Sequence, residues 1–153
     1  STIAALYSSS ASSKALENLE VLSDNGDAKA TFLLSRLYYS YKTFDLCPDS
    51  IRSLQQSLHM SLDDVMAHQL LKKSVQQDSN DYHSLYELAC DFWKADQRTI
   101  AVKDREGELA KSYFDKARKY ALEAGDEEYV KRIDEFLSDY GKWRENVLRT
   151  KKK

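Results

Sequence analysis

The histidines and one acidic pair are the residues of this chain that could do metal or acid–base chemistry. None of His59, His68 and His83 has another His or Cys three or four residues away, the spacing at which two ligands on one helix share a metal ion. Asp63 and Asp64 are adjacent carboxylates, but carboxylates in the first turn of a helix commonly complement its dipole. The sequence lacks a glycine-rich phosphate loop, a nucleophile elbow and a zincin helix. We therefore predict that the protein is not an enzyme and needs no metal ion or cofactor.

Aromatic residues form the second group, because they bind partners as well as fill cores. The chain has 10 Tyr, 5 Phe and 2 Trp. The pairs Tyr38-Tyr39 and Phe92-Trp93 stand at equivalent places of two similar segments. Adjacent residues of a helix point about 100° apart. If the first ring of each pair lies in the core, the second, Tyr39 or Trp93, faces elsewhere.

Helices must position these side chains. Four Gly and one Pro leave few breakers among 153 residues, and apolar residues recur at helical spacing throughout. We therefore predict an all-α fold. At 25–27 and 125–126 a glycine before an aspartate predicts a left-handed helix end followed by a new helix cap. Pro48 and Asp49 open a short helix, and Ser61 begins a capping box for the next one.

An internal repeat of two helices organises the chain. Three segments place a small alanine four residues before a bulky side chain: Ala15 and Leu19, Ala67 and Leu71, Ala110 and Phe114. A second segment type aligns 28–40 with 82–94. The repeats are longer than a compact two-helix unit, and the extra residues lie in long loops at 43–60 and 95–106. Small residues that let helices cross closely should therefore be buried: Ala30, Ser35, Ala67, Ala89, Ala110 and Ala117.

The repeat pattern resembles the Sel-one-like repeats, a branch of the tetratricopeptide superfamily, over roughly 14–126. Asn25-Gly26-Asp27-Ala28-Lys29-Ala30 is similar to that family's junction motif. Leu70-Leu71-Lys72-Lys73-Ser74 and Tyr113-Phe114-Asp115-Lys116-Ala117 stand where its aromatic-x-Lys-Ala segment stands. The family's glycine after the aromatic pair is replaced by Tyr41 and Ala95. The resemblance implies a short right-handed superhelix of antiparallel helix pairs.

The resemblance also implies a binding surface, because the first helices of such pairs line a concave groove. We predict that Tyr39 and Trp93 line that groove, with Arg36, Asp91 and Lys94 beside them. The function would be a non-enzymatic scaffold that holds a peptide or a partner protein. Two alternatives stay open. Tyr39 and Trp93 could pack against the two long loops, and the repeats could be a regulatory or structural appendage that docks on a larger enzyme.

Three regions follow from this reading. Residues 1–13 are serine-rich and predict a linker, 14–140 form the helical-repeat domain, and 141–153 form a capping segment or tail. Asp134 stands where Ser35 and Ala89 stand in the other repeats, so we expect the array to end there. Trp143 would then fold back over the exposed edge.

Charge and cysteines limit the partners. A net charge of -2 gives no basic surplus for nucleic acid. No apolar run approaches the roughly 18 residues of a membrane span. Cys47 and Cys90 are interpreted as reduced thiols, and a disulfide is the alternative in an exported protein. A cytoplasmic location is favoured. The start at Ser1 suggests a piece or a processed form of a longer protein.

Overall fold

The structure, a computed structural model, describes residues 2–40, 49–98 and 103–151. Within these ranges the chain forms seven α-helices and no strand, which confirms the all-α class. The helices are α1 (Thr2–Asp24), α2 (Ala28–Tyr38), α3 (Asp49–Ser57), α4 (Asp64–Gln77), α5 (Tyr82–Arg98), α6 (Lys103–Glu123) and α7 (Glu127–Lys151). They divide into two compact units, Ser1–Ser79 and Asn80–Lys153. The predicted superhelix stays a prediction.

The first unit is built around α2, which packs against α1, α3 and α4. Leu34 and Leu37 of α2 are buried with Ile51 of α3, because the apolar residues of both helices fall on the facing sides. Leu16 and Leu19 of α1 close the cluster. The predicted small residues of this unit, Ala30, Ser35 and Ala67, are all buried.

The carboxyl end of α2 is held by polar side chains from the following segments. Gln55 Nε2 donates to the carbonyl oxygens of Leu37 and Tyr39, at 3.0 Å each. The Asp63 N–H donates to Tyr38 O at 2.8 Å. These bonds satisfy carbonyls that a helix end leaves unpaired. Asp63, and not Ser61, caps α4: its Oδ1 accepts from Met66 N at 3.0 Å.

The second unit packs α5 along α6, and α7 joins them through aromatic rings. Tyr86 of α5 lies edge-on to Phe114 of α6 and to Phe136 of α7, with centroids 6.1 Å and 5.8 Å away. The predicted small residues of this unit, Ala89, Ala110 and Ala117, are again all buried.

Two helical hairpins, α1–α2 and α6–α7, share the same turn. Gly26 and Gly125 have φ of +96° and +73°, the left-handed conformation that the sequence predicts there. The matching bonds are Gly26 N–H to Ser23 O and Gly125 N–H to Leu122 O at 3.0 Å, and Asp27 N–H to Leu22 O and Asp126 N–H to Ala121 O at 2.9 Å. Asp27 and Asp126 then cap the second helix through Oδ1. The turns of the two hairpins and the first residues of α2 and α7 are therefore equivalent, whereas α7 continues far beyond the length of α2.

Both ends of the chain differ from the sequence expectation. Residues 2–13 are helical as the first half of α1, where a linker is expected. Serine costs a helix only part of the roughly 0.7 kcal/mol that separates ordinary residues from alanine, so a serine run does not end one. At the other end α7 runs on through Gly141 to Lys151. Trp143 therefore continues the helix and does not fold back.

Candidate functional site

Arg36 and Tyr39, two of the predicted groove residues, lie together inside the first unit. Their exposed fractions are 1% and 6%. The Arg36 guanidinium stands 4.5 Å from the centroid of the Tyr39 ring, and its Nε donates to Ser35 Oγ at 3.2 Å. Tyr39 follows the last residue of α2 in extended conformation, so the 100° rule for adjacent helical residues does not apply to it. The prediction of a solvent-facing Tyr39 is wrong.

Trp93, Asp91 and Lys94 belong to α5 in the second unit. Trp93 is 8% exposed, because the Tyr140 and Trp143 rings of α7 cover it at 5.1 and 5.4 Å. Asp91 is half-buried, and the Lys94 side chain lies outside the described part of the chain. Trp93 therefore does not line an open groove either. Of the two long loops offered as alternative packing partners, 43–48 and 99–102 lie outside the described residues, whereas 49–57 form α3, whose Gln55 donates to Tyr39 O.

Over residues 2–40, 49–98 and 103–151, no three His, Cys, Asp or Glu side chains lie close enough together to bind one ion. None of the helices described for this chain is both long and apolar enough to cross a membrane. Cys90 is a buried thiol, and Cys47 lies outside the described ranges.

An open groove runs along α7 in the second unit. Its volume is about 850 Å³. We call it the α7 groove; its lining comprises Leu122, Gly125, Asp126, Glu127, Val130, Lys131, Asp134, Glu135, Ser138 and Asp139. Leu122, which is 52% exposed, and the half-buried Val130 supply an apolar floor. Five carboxylates and one lysine surround that floor, so the groove is strongly acidic.

Two of the groove carboxylates are held by neighbouring side chains. Asp126 Oδ2 accepts from the Tyr82 hydroxyl at 2.8 Å, and Oδ1 accepts from Tyr129 N at 3.2 Å. These hydrogen bonds lower the pKa of Asp126. Asp134 Oδ1 accepts from Arg118 Nε at 2.6 Å, and this bond raises the pKa of Arg118. Both carboxylates are therefore held by hydrogen bonds from neighbouring groups.

In the first unit, the face of α1 and α2 that corresponds to the α7 groove is covered by α4. In the matching hairpins, Leu122 takes the place of Ser23, Val130 that of Thr31, and Asp134 that of Ser35. Ser23, Thr31 and Ser35 are buried. The helix α4 contributes to that burial: Gln77 Oε1 lies 2.6 Å from Thr31 Oγ1, and Gln77 Nε2 donates to Ser23 O at 3.0 Å.

The α7 groove is therefore the counterpart of the seat that α4 occupies on α1 and α2. Sequence reasoning did not find it, because it looked for aromatic pairs on the first helices. One signal was nevertheless present. Asp134 replaces a small residue at a crossing position, and in the structure Asp134 is exposed, as a helix face without a further packed layer requires.

Comparisons with protein-family models, curated proteins and solved structures found no match to this chain.

Proposed function

We propose that the protein is a non-enzymatic interaction module that holds a segment of a partner protein in the α7 groove. The observation that carries this proposal is the position of the groove. On α2 the equivalent face is covered by α4, whereas on α7 no helix of the described ranges covers it and Leu122 is half-exposed. An exposed apolar floor with a charged rim is a common feature of protein interaction sites.

The chemistry of the groove favours binding over catalysis. A carboxyl group that acts as a general acid near neutral pH needs a raised pKa. The pKa of Asp126 is lowered by its bonds to Tyr82 and Tyr129. The Asp134 carboxylate is engaged by Arg118. Fixed anions of this kind attract and orient a charged partner.

The shape of the groove favours a protein segment over a small molecule. Small-molecule sites enclose most of their ligand. The α7 groove instead follows one helix from Asp126 to Asp139, a length of about 20 Å at 1.5 Å per residue, and is open along its side.

The proposal retains the Sel-one-like reading of the architecture, including a right-handed superhelix of helix pairs. The identical turns of α1–α2 and α6–α7 support a true structural repeat. The binding surface differs from the one that the resemblance implies, since Tyr39 and Trp93 are buried.

A matched pair of leucine substitutions tests the function. Leu122 in the groove and Leu148 near the end of α7 are 52% and 47% exposed, and both lie on the second unit. We would compare the proteins captured from the source cells by the native chain, Leu122→Lys and Leu148→Lys. A partner retained by the native chain and by Leu148→Lys but lost with Leu122→Lys supports the proposal. If Leu122→Lys keeps every partner, the groove is not the binding surface.

A further inference from the structure

We infer that the α7 groove takes a basic amphipathic helix of about four turns, lying antiparallel to α7. This inference rests on the proposed function and names the occupant of the same groove. It follows from three properties of the equivalent seat in the first unit: the direction, the length and the charge of α4.

The direction of α4 is given by its contacts with both ends of α2. Its first residue, Asp64, accepts hydrogen bonds from Ser40 N and Ser40 Oγ just beyond the carboxyl end of α2, at 2.8 and 2.6 Å. Its last residue, Gln77, contacts Thr31 in the first turn of α2. A helix seated on α7 in the same way begins at the end of the groove that Asp139 lines and ends near Val130, the counterpart of Thr31.

The length of α4 matches the groove. The 14 residues of α4 cover about 21 Å, and the groove covers about 20 Å from Asp126 to Asp139. The face of α4 that is turned into the unit carries Ala67, Leu71 and Ser74, all fully buried. A small and apolar stripe of this kind suits the floor of Leu122 and Val130.

The charge of the occupant must differ from that of α4. The bound helix would begin at the end of the groove that Asp139 lines, so an acidic first turn would be repelled there. Glu127 and Glu135 are exposed on the same rim. Carboxylates along both ends of the groove are complementary to lysine or arginine at both ends of the bound helix.

Two other occupants fit less well. The α1 helix of a second copy exposes Glu17, Glu20 and Asp24, which would face the acidic rim. Arg149 of the same chain is also excluded as the source of the positive charge, because it lies on the same continuous helix as the groove. It stands about 15 Å beyond Asp139 and cannot reach back.

Two synthetic helices test the charge requirement. The basic peptide has the α4 sequence, Asp64–Gln77, with Asp64→Lys and Gln77→Lys. The acidic peptide has the α4 sequence with Lys72→Glu and Lys73→Glu, so both keep the stripe of Ala67, Leu71 and Ser74. Binding of each to the full chain is measured by isothermal titration calorimetry. We expect the basic peptide to bind at least tenfold more tightly, and its affinity to fall as salt is raised.

Matched variants of the protein locate the binding. Glu135→Lys changes the groove rim, and Glu145→Lys makes the same change on the exposed surface of α7 beyond the groove. Binding of the basic peptide should weaken about tenfold with Glu135→Lys and stay within twofold with Glu145→Lys. Circular dichroism of each variant confirms that its helices are intact. Equal binding of the two peptides, or an unchanged affinity with Glu135→Lys, overturns the inference.

The outcome separates this inference from the proposed function. If Leu122→Lys loses its cellular partners but basic and acidic peptides bind alike, the groove is an interaction surface and the occupant is not a basic helix. If Leu122→Lys keeps its partners and the peptides do not discriminate, both proposals fail.

Discussion

The Asp126 carboxylate joins two helices at the scale of a single residue. One oxygen accepts a hydrogen bond from Tyr129 N and caps α7. The other accepts a hydrogen bond from the Tyr82 hydroxyl at the start of α5. The Tyr82 ring also packs on His83 and Tyr129, with centroids 4.2 and 5.3 Å away. The cap of α7 is therefore also a contact with α5.

Removing the Tyr82 hydroxyl should change the ionisation of Asp126. Its hydrogen bond is the largest cause of the lowered pKa, so Tyr82→Phe should move that pKa back up toward the ordinary value of a carboxyl group. An NMR titration of the Asp126 carboxyl carbon measures this. Tyr120→Phe on α6 is the control. An identical titration in native protein and Tyr82→Phe would show that the hydroxyl does not act on this carboxylate.

Three tyrosines predict a loss of stability in alkali. Burial and the bond to Asp126 raise the pKa of Tyr82 from 10.0 to about 12, and burial also raises the pKa of Tyr86 and of Tyr129. The unfolded chain loses these protons near pH 10, while the folded chain keeps them. Stability is therefore intact below pH 10 and falls as the pH rises toward 12. Urea unfolding across this range should show the decline, and a smaller decline in Tyr86→Phe.

Alanine substitutions at two glycines of the second unit should have opposite effects on stability. Gly141 lies inside α7 with open space around the position of an added Cβ, so Gly141→Ala should stabilise by about 0.5–1 kcal/mol. Gly125 has φ of +73°, so Gly125→Ala should destabilise because alanine is strained there. Thermal unfolding measures both. A destabilised Gly141→Ala would mean that this part of α7 is not a regular helix.

The close crossings of helices predict a cost for larger side chains. Ala67 and Ala110 are fully buried, so leucine at either should destabilise by about 1–3 kcal/mol through overpacking. Ala11→Leu on the exposed side of α1 is the control and should have little effect. Chemical unfolding gives the three values. Equal stability of Ala67→Leu and Ala11→Leu would contradict the repeat alignment.

The periodicity of apolar residues and the turn residues predicted most of the helices, because these features depend only on residues close together in the sequence. The short helix after Pro48, the left-handed Gly26 and Gly125, and the buried small residues all follow from chemistry within a few positions. The orientation of Tyr39 and Trp93 does not, because it depends on neighbours far along the chain. Trp93 is covered by Tyr140 and Trp143 of α7, which no spacing within α5 reveals.

The whole molecule divides into two compact units, and this predicts where a substitution acts. Overpacking at Ala67 should raise amide hydrogen exchange in α1, α2 and α4, and overpacking at Ala110 should raise it in α5, α6 and α7. Exchange followed by mass spectrometry on the full chain measures both. If Ala67→Leu raised exchange equally throughout, the chain would open as one cooperative body.

The α7 groove depends on how whole helices pack together, so the sequence alone did not predict it. Leu122 and Val130 continue the helical pattern of earlier repeats and have the character of core residues. They are exposed because no described helix packs on α7 as α4 packs on α2, and not because of the residue types themselves. Asp134 was the local clue, because a charged residue stands there where the equivalent positions of the other repeats carry Ser35 and Ala89.

The aromatic cluster at the end of α5 has a consequence for how this protein can be observed. Trp93 and Trp143 are the only tryptophans of the chain, and their rings lie 5.4 Å apart within the second unit. Tryptophan fluorescence therefore reports on α5 and α7 alone, and two indoles in contact should give an exciton signal in circular dichroism. An unfolding transition confined to the first unit would therefore leave the tryptophan emission unchanged.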